Sequence, residues 1–122
     1  MSFPKYTQDL IATGIILSQP RIVTIPSGST TSNSIDLRGS AVLKIFIPAN
    51  FVGTSLTFQL SLNNVDYKPY KNANGDLVVC QALANDAIGI TPIDFLGVNY
   101  LKIISNATES GADIAIITQD IR

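Results

Sequence analysis

Nine times between residues 21 and 119 the chain runs for four to eight residues in β-branched or alternating apolar and polar order, then stops at a Pro, Gly, Asn or Asp. This rhythm limits the fold more than any other feature. The segments are Arg21 to Ile25, Ser34 to Leu37, Ala41 to Ile47, Ser55 to Leu62, Val65 to Tyr70, Asp76 to Leu83, Ala87 to Thr91, Tyr100 to Ser105 and Ile114 to Gln119. Between them stand Pro26-Ser27-Gly28, Arg38-Gly39-Ser40, Pro48-Ala49-Asn50, Asn74-Gly75, Asn85-Asp86, Leu96-Gly97 and Ser110-Gly111. Short strands at such regular spacing, with no long helical period among them, predict an all-β fold, an antiparallel β-sandwich of jelly-roll type.

The stretch SLTFQLSLNNVDYKPY shows the pattern most cleanly. Leu56, Phe58, Leu60 and Leu62 alternate with Ser55, Thr57, Gln59 and Ser61, so one side of an extended chain is apolar. Asn63-Asn64 then reads as a tight reverse turn, because Asn tolerates positive φ. By the same parity Tyr67 shares the Val65 face and is expected in the core, while Tyr70 falls on the other side and is the aromatic expected to face a ligand. In AVLKIFI only Lys44 is polar, which suits a central strand covered on both faces or one lying at a subunit contact. YLKIIS and DIAIITQ alternate more nearly, as for a strand with one wet face.

The first twenty residues differ. Phe3, Tyr6, Leu10, Ile15 and Ile16 are apolar enough to dock, but Pro4, Gly14 and Pro20 interrupt any long regular element. Residues 1–20 are therefore expected to be an N-terminal arm or edge strand, and residues 21–122 the β-sandwich domain. An arm of this kind adds to its own sheet or to a neighbouring protein surface, and those five apolar residues are the expected partner-facing set.

Chemistry is sparse. The chain has no histidine, which removes the usual proton-transfer group near neutral pH and the most common metal ligand. Eight Asp and Glu109 leave a paired-carboxylate mechanism formally open, but no spacing forces two together, and most of the Asp stand at turns, where they bond their own backbone. Asn72-Ala73-Asn74-Gly75-Asp76 is faintly like the opening of a calcium loop, yet it lacks the closing bidentate acid, and Asn-Gly between strands signals a hairpin. Cys80 is the sole cysteine and reads as a buried apolar residue in Leu77-Val78-Val79-Cys80. No catalytic, cofactor-binding or metal-binding residue is assigned, and no cofactor is expected.

Charge narrows the partners. Eight basic and nine acidic residues give a net charge of −1, and the basic ones are scattered, so there is no patch to neutralise phosphates. Nucleic acid is not an expected partner. The apolar part of the start, Leu10 to Leu17, is too short to cross a bilayer, and no cationic leader precedes it; the protein is expected to be made and used without export or membrane contact. Asn106-Ala107-Thr108 is then an incidental sequon match. With 14% charged residues against 46% hydrophobic, some surface is expected to be covered by other protein.

The order SLTFQLSLNNVDYKPY, ANGDLVV and IGITPIDFLGVNYLKIIS resembles a family of small β-sandwich virion structural proteins of tailed bacteriophages. The matching features are Leu56-Thr57-Phe58-Gln59, Asn63-Asn64, Tyr67, Gly75, Pro92, Asp94-Phe95, Gly97 and Tyr100-Leu101-Lys102. IDLRGSAVLKIFIPANF upstream matches in style, and the resemblance covers roughly residues 27–118. Its residues are structural: it implies a capped turn from Pro92 to Gly97, a core position for Phe95 and no catalytic residue. The second Asn departs from that family's usual turn glycine. The resemblance implies a capsid decoration, cement or head-fibre protein, made in the host cytoplasm and carried on the capsid surface, with the major capsid protein and copies of itself, expected as a homotrimer, for partners. The alternative is a carbohydrate- or receptor-binding module of a tail or fibre. A small hydrolase using acidic residues is the least favoured class.

Overall fold

A computed structural model describes residues 19–90, 95 and 97–120. Nine antiparallel strands run along them: β1 (Gln19–Ile25), β2 (Ile35–Asp36), β3 (Ser40–Phe46), β4 (Ser55–Ser61), β5 (Tyr67–Pro69), β6 (Cys80–Gln81), β7 (Ala87–Gly89), β8 (Tyr100–Ser105) and β9 (Ala112–Asp120). One sheet has the order β1-β9-β3-β7 and the other β2-β8-β4-β5, with β6 also pairing β4. β6 continues the line of β5 along β4, Leu56 facing Cys80 and Gln59 facing Pro69, so the two are one strand interrupted by residues 70–79. Counted so, the chain switches sheets at every connection except that from β4 to β5, the double-sheet arrangement of a jelly roll.

Alternation decides what lies between the sheets. Val23, Ile25, Ile45, Ile114 and Ile116 from the first sheet meet Leu56, Phe58, Leu101 and Ile103 from the second, all at most 1% exposed. Phe95 closes this core, its ring edge-on to Phe58 at 5.4 Å. In β3 the register shifts between Val42 and Lys44, a β-bulge that keeps both Val42 and Ile45 inward while Lys44 and Phe46 point out. β3 is central in its sheet, but only its inner face is covered, by the second sheet; the cover expected on both faces is not found among the described residues.

One turn differs from expectation and one follows it. The β4–β5 connection is a five-residue loop, because Ser61 pairs with Tyr67. Side chains close it: Ser61 Oγ accepts from the N–H groups of Asn63 and Asn64, and Asn63 Oδ1 accepts from those of Val65 and Asp66. Asn64 does take a positive φ, 63°. The longer loop reverses the expected roles of two tyrosines. Val65 lies in the loop, 76% exposed, so strand parity starts afresh at Tyr67, which points outward opposite Ser61. Tyr70, expected to face a ligand, is half-buried where the chain leaves β5, its ring edge-on to Phe95 at 5.8 Å. Residues 70–79 form a small hairpin bridged at Lys71 and Leu77, with Gly75 at φ 85° in its turn.

Candidate functional site

On the outer face of the β1-β9-β3-β7 sheet, cross-strand register lines up Ile22, Ala115, Phe46 and Ala87 in one row across all four strands. Ile22 is 55% exposed and Phe46 43%. The row to one side holds Pro20, Ile117, Lys44 and Gly89; to the other side lie Thr24 and Asp113. Thr24 Oγ1 donates to Asp113 Oδ1 at 2.7 Å. Large exposed apolar residues aligned across a sheet are a surface that water covers poorly.

The outer face of the second sheet is of another kind. One row runs Tyr67, Ser61, Tyr100, Asp36, and the next contains Pro69, Gln59 and Lys102. Lys102 Nζ stands 4.4 Å from the centroid of the Tyr67 ring, and the Arg38 guanidinium stands 5.2 Å from that of Tyr100. The Tyr67 hydroxyl bonds to Asn64 Oδ1 in the neighbouring loop. Arg38 Nη2 donates to Asp36 Oδ2 at 2.7 Å, and its Nε and backbone N–H both donate to Oδ1 at 3.0 Å. Those bonds hold the Asp36 carboxyl at about 2, below its ordinary 3.8, and raise the Arg38 guanidinium in turn. Each tyrosine ring here has a cation over it.

At one end of the sandwich Glu109 is 2% exposed and ties three loops together. The N–H groups of Val52 and Gly53 each donate to its carboxylate at 2.9 Å, and Ser105 Oγ donates at 2.8 Å. Its own backbone pairs with Gly28 and Ser29. A Cβ at Gly53 would lie 2.3 Å from Ser105 Oγ, so no side chain fits there. Beside it, the Asn106 amide nitrogen donates to Thr54 Oγ1 while its oxygen accepts from the Thr54 and Ser55 N–H groups, an intramolecular role for the sequon asparagine. The carboxylate is a fastener; its acceptors already have donors.

At the other end a cleft of about 530 Å³ is lined by Leu60, Leu62, Tyr70 and Val98, with Asp66 and Lys68 among its polar residues. Phe3, Tyr6, Leu10, Ile15 and Ile16 lie outside the described residues, as do Pro92 and Asp94; β1 begins at Gln19, inside the span expected for the arm. Phe95 is 1% exposed and Gly97 has φ 78°. In the calcium-like stretch Asn72 Oδ1 accepts from the N–H groups of Asn74 and Asp76, which engages it in closing the hairpin. Cys80 is half-buried against the core, less enclosed than its apolar run suggests, because β6 is an edge strand. Among the described residues no three His, Cys, Asp or Glu side chains form a metal-sized group. Sequence reasoning missed Ile22 and Ile117 as surface features; the signal was the unbroken run Ile114 to Ile117, which makes both sides of one strand apolar.

No family model matches the chain, and no curated protein matches it. Among solved structures it is similar to CBM32-1 from a family 31 glycoside hydrolase from Clostridium perfringens, at 19% identity and a TM-score of 0.47, over 75% of this chain and 72% of that one. A likeness at this level carries no argument about ligand or partner.

Proposed function

We propose that this chain is a non-enzymatic structural protein of a tailed-phage virion, a capsid decoration, cement or head-fibre protein that binds the capsid exterior, stabilises the shell and associates with copies of itself. The observation that supports the assembly reading is the apolar row Ile22, Ala115, Phe46 and Ala87 on an exposed sheet face. The capsid as partner comes from the sequence resemblance over roughly residues 27–118. The mechanism is mechanical: burying apolar area across subunit contacts adds about 25 cal/mol per Å² to the free energy holding the shell together, before the cost of ordering both partners.

In this reading Phe3, Tyr6, Leu10, Ile15 and Ile16 contact the capsid. Particles of the phage encoding the chain test it, compared with and without the protein by imaging and by resistance to heat. Particles lacking it should be bare at its sites and release their genome at lower temperature, whereas unchanged outline and resistance would end the assignment. Re-adding protein shortened by residues 1–18 should leave most sites empty; full occupancy would clear the N-terminal residues of that role.

A carbohydrate-binding role has one supporting observation, the outward Tyr67 and Tyr100 on the second sheet. It is the weaker reading, because both rings already carry a cation on one face. A glycan array probed with the purified chain separates the two.

A further inference from the structure

We propose that the outer face of the β1-β9-β3-β7 sheet is where two copies of this chain pair face to face about a two-fold axis. Charge is placed around the apolar row in a self-complementary way. On β9, Asp113 lies one outward position to one side of the row; on the adjacent β3, Lys44 lies one outward position to the other side. Both are exposed, and among the described residues neither has an ion-pair partner.

A half-turn about an axis lying in the face along that row lays the row on itself and exchanges its two sides. Each Lys44 then passes above the partner copy at the level of Asp113, offset by one strand spacing of about 4.8 Å. Tilting the axis by about 20° removes the offset, since outward positions on one strand are about 6.8 Å apart, and the strands of the two copies then cross at about 40°. Aligned sheet-on-sheet packings cross at about 30°, so the geometry is an ordinary one. The same contact forms twice, as an isologous interface requires. An unrelated partner needs no such balance of one cation and one anion about an apolar centre, whereas a self-pairing face does.

Four strands at that spacing make a face roughly 19 Å wide, three of them about 23–30 Å long and the edge strand β7 about 10 Å. Two such faces together bury on the order of 1,000 Å², the small end of specific interfaces, so the pairing depends on concentration. Copies side by side on a shell would meet that condition. The inference deepens the self-association part of the proposed function and rests on it, but it replaces the expected trimer with a dimer and needs no shell to be tested.

Sedimentation equilibrium of the full chain from micromolar to millimolar concentration is the experiment, with circular dichroism confirming that each variant folds. Wild type should fit a monomer–dimer equilibrium. Phe46→Asp should raise the dissociation constant at least ~100-fold. Lys44→Asp and Asp113→Lys should each raise it ~10-fold or more, and the double reversal Lys44→Asp/Asp113→Lys should return it to within about threefold of wild type. A monomer at every concentration, a trimer, or a double reversal no better than the single ones overturns the pairing. If a monomeric wild type still binds particles, the pairing alone has failed; a dimer that ignores particles sustains the pairing and removes the capsid reading.

Discussion

The two outer faces of this sandwich share one core and almost nothing else. Inward, β3 and β9 present Val42, Ile45, Ile114 and Ile116, and β4 and β8 present Leu56, Phe58, Leu101 and Ile103, equivalent in size and burial. Outward, the first sheet shows Ile22, Phe46, Ala115 and Ile117, whereas the second shows Gln59, Tyr67, Tyr100 and Lys102. Folding asks only that the inner residues be apolar, so the outer ones report what each face meets afterwards. The second face is mostly polar; the first is mostly apolar.

Substitutions can break or sharpen this contrast. Phe58→Ala removes the ring between the sheets and should destabilise the isolated chain by about 3–5 kcal/mol, read by denaturant unfolding, with both faces losing order together. If only one face loosened, the shared core would be the wrong description. Glu109→Gln should cost about 1–3 kcal/mol, because an amide NH₂ would confront the Val52 or Gly53 N–H or the Ser105 hydroxyl in a buried site. Gly53→Ala should be destabilising through the same knot, since its Cβ would collide with Ser105 and Asn106.

Outer-face changes should be far gentler on folding and should diverge in association. Phe46→Asp and Tyr67→Ala are each expected to shift stability by less than about 1 kcal/mol. Only the first should alter sedimentation; a glycan-array signal lost in the second and kept in the first would transfer the functional role to the second sheet. Smallest is the effect of acid on the Asp36–Arg38 pair. The Asp36 carboxyl is depressed to about 2 from 3.8, so the pair's contribution is whole above pH 4 and disappears as pH falls through 2. Carboxyl chemical shifts across that range should show the late titration, and Arg38→Ala should return it to the ordinary value. Both groups are largely exposed, so melting should barely respond.

Much of this was legible in the chain. All nine strands fall inside or within two residues of the apolar segments, because alternation with period two is a local demand that a buried sheet face makes on its own residues. Gly75 and Gly97 announced their positive φ by being glycine. The roles of Tyr67 and Tyr70 were not legible, since parity survives only while the strand continues, and Ser61 and Asn63 close a five-residue loop through side-chain bonds that no spacing encodes. The Glu109 knot was equally hidden: its partners Val52 and Gly53 lie 57 and 56 residues away in the chain.

The sequence by itself determined the class of fold and which side of most strands turns inward, because hydrophobic burial acts residue by residue through the pleat. The tertiary structure alone decided which strands stand side by side, and with that which outward residues become neighbours. Ile22, Ala115, Phe46 and Ala87 are scattered through the chain and form one row only because β9 inserts between β1 and β3 and β7 closes the edge. A surface is made of distances in space, and register between distant strands is what fixes them.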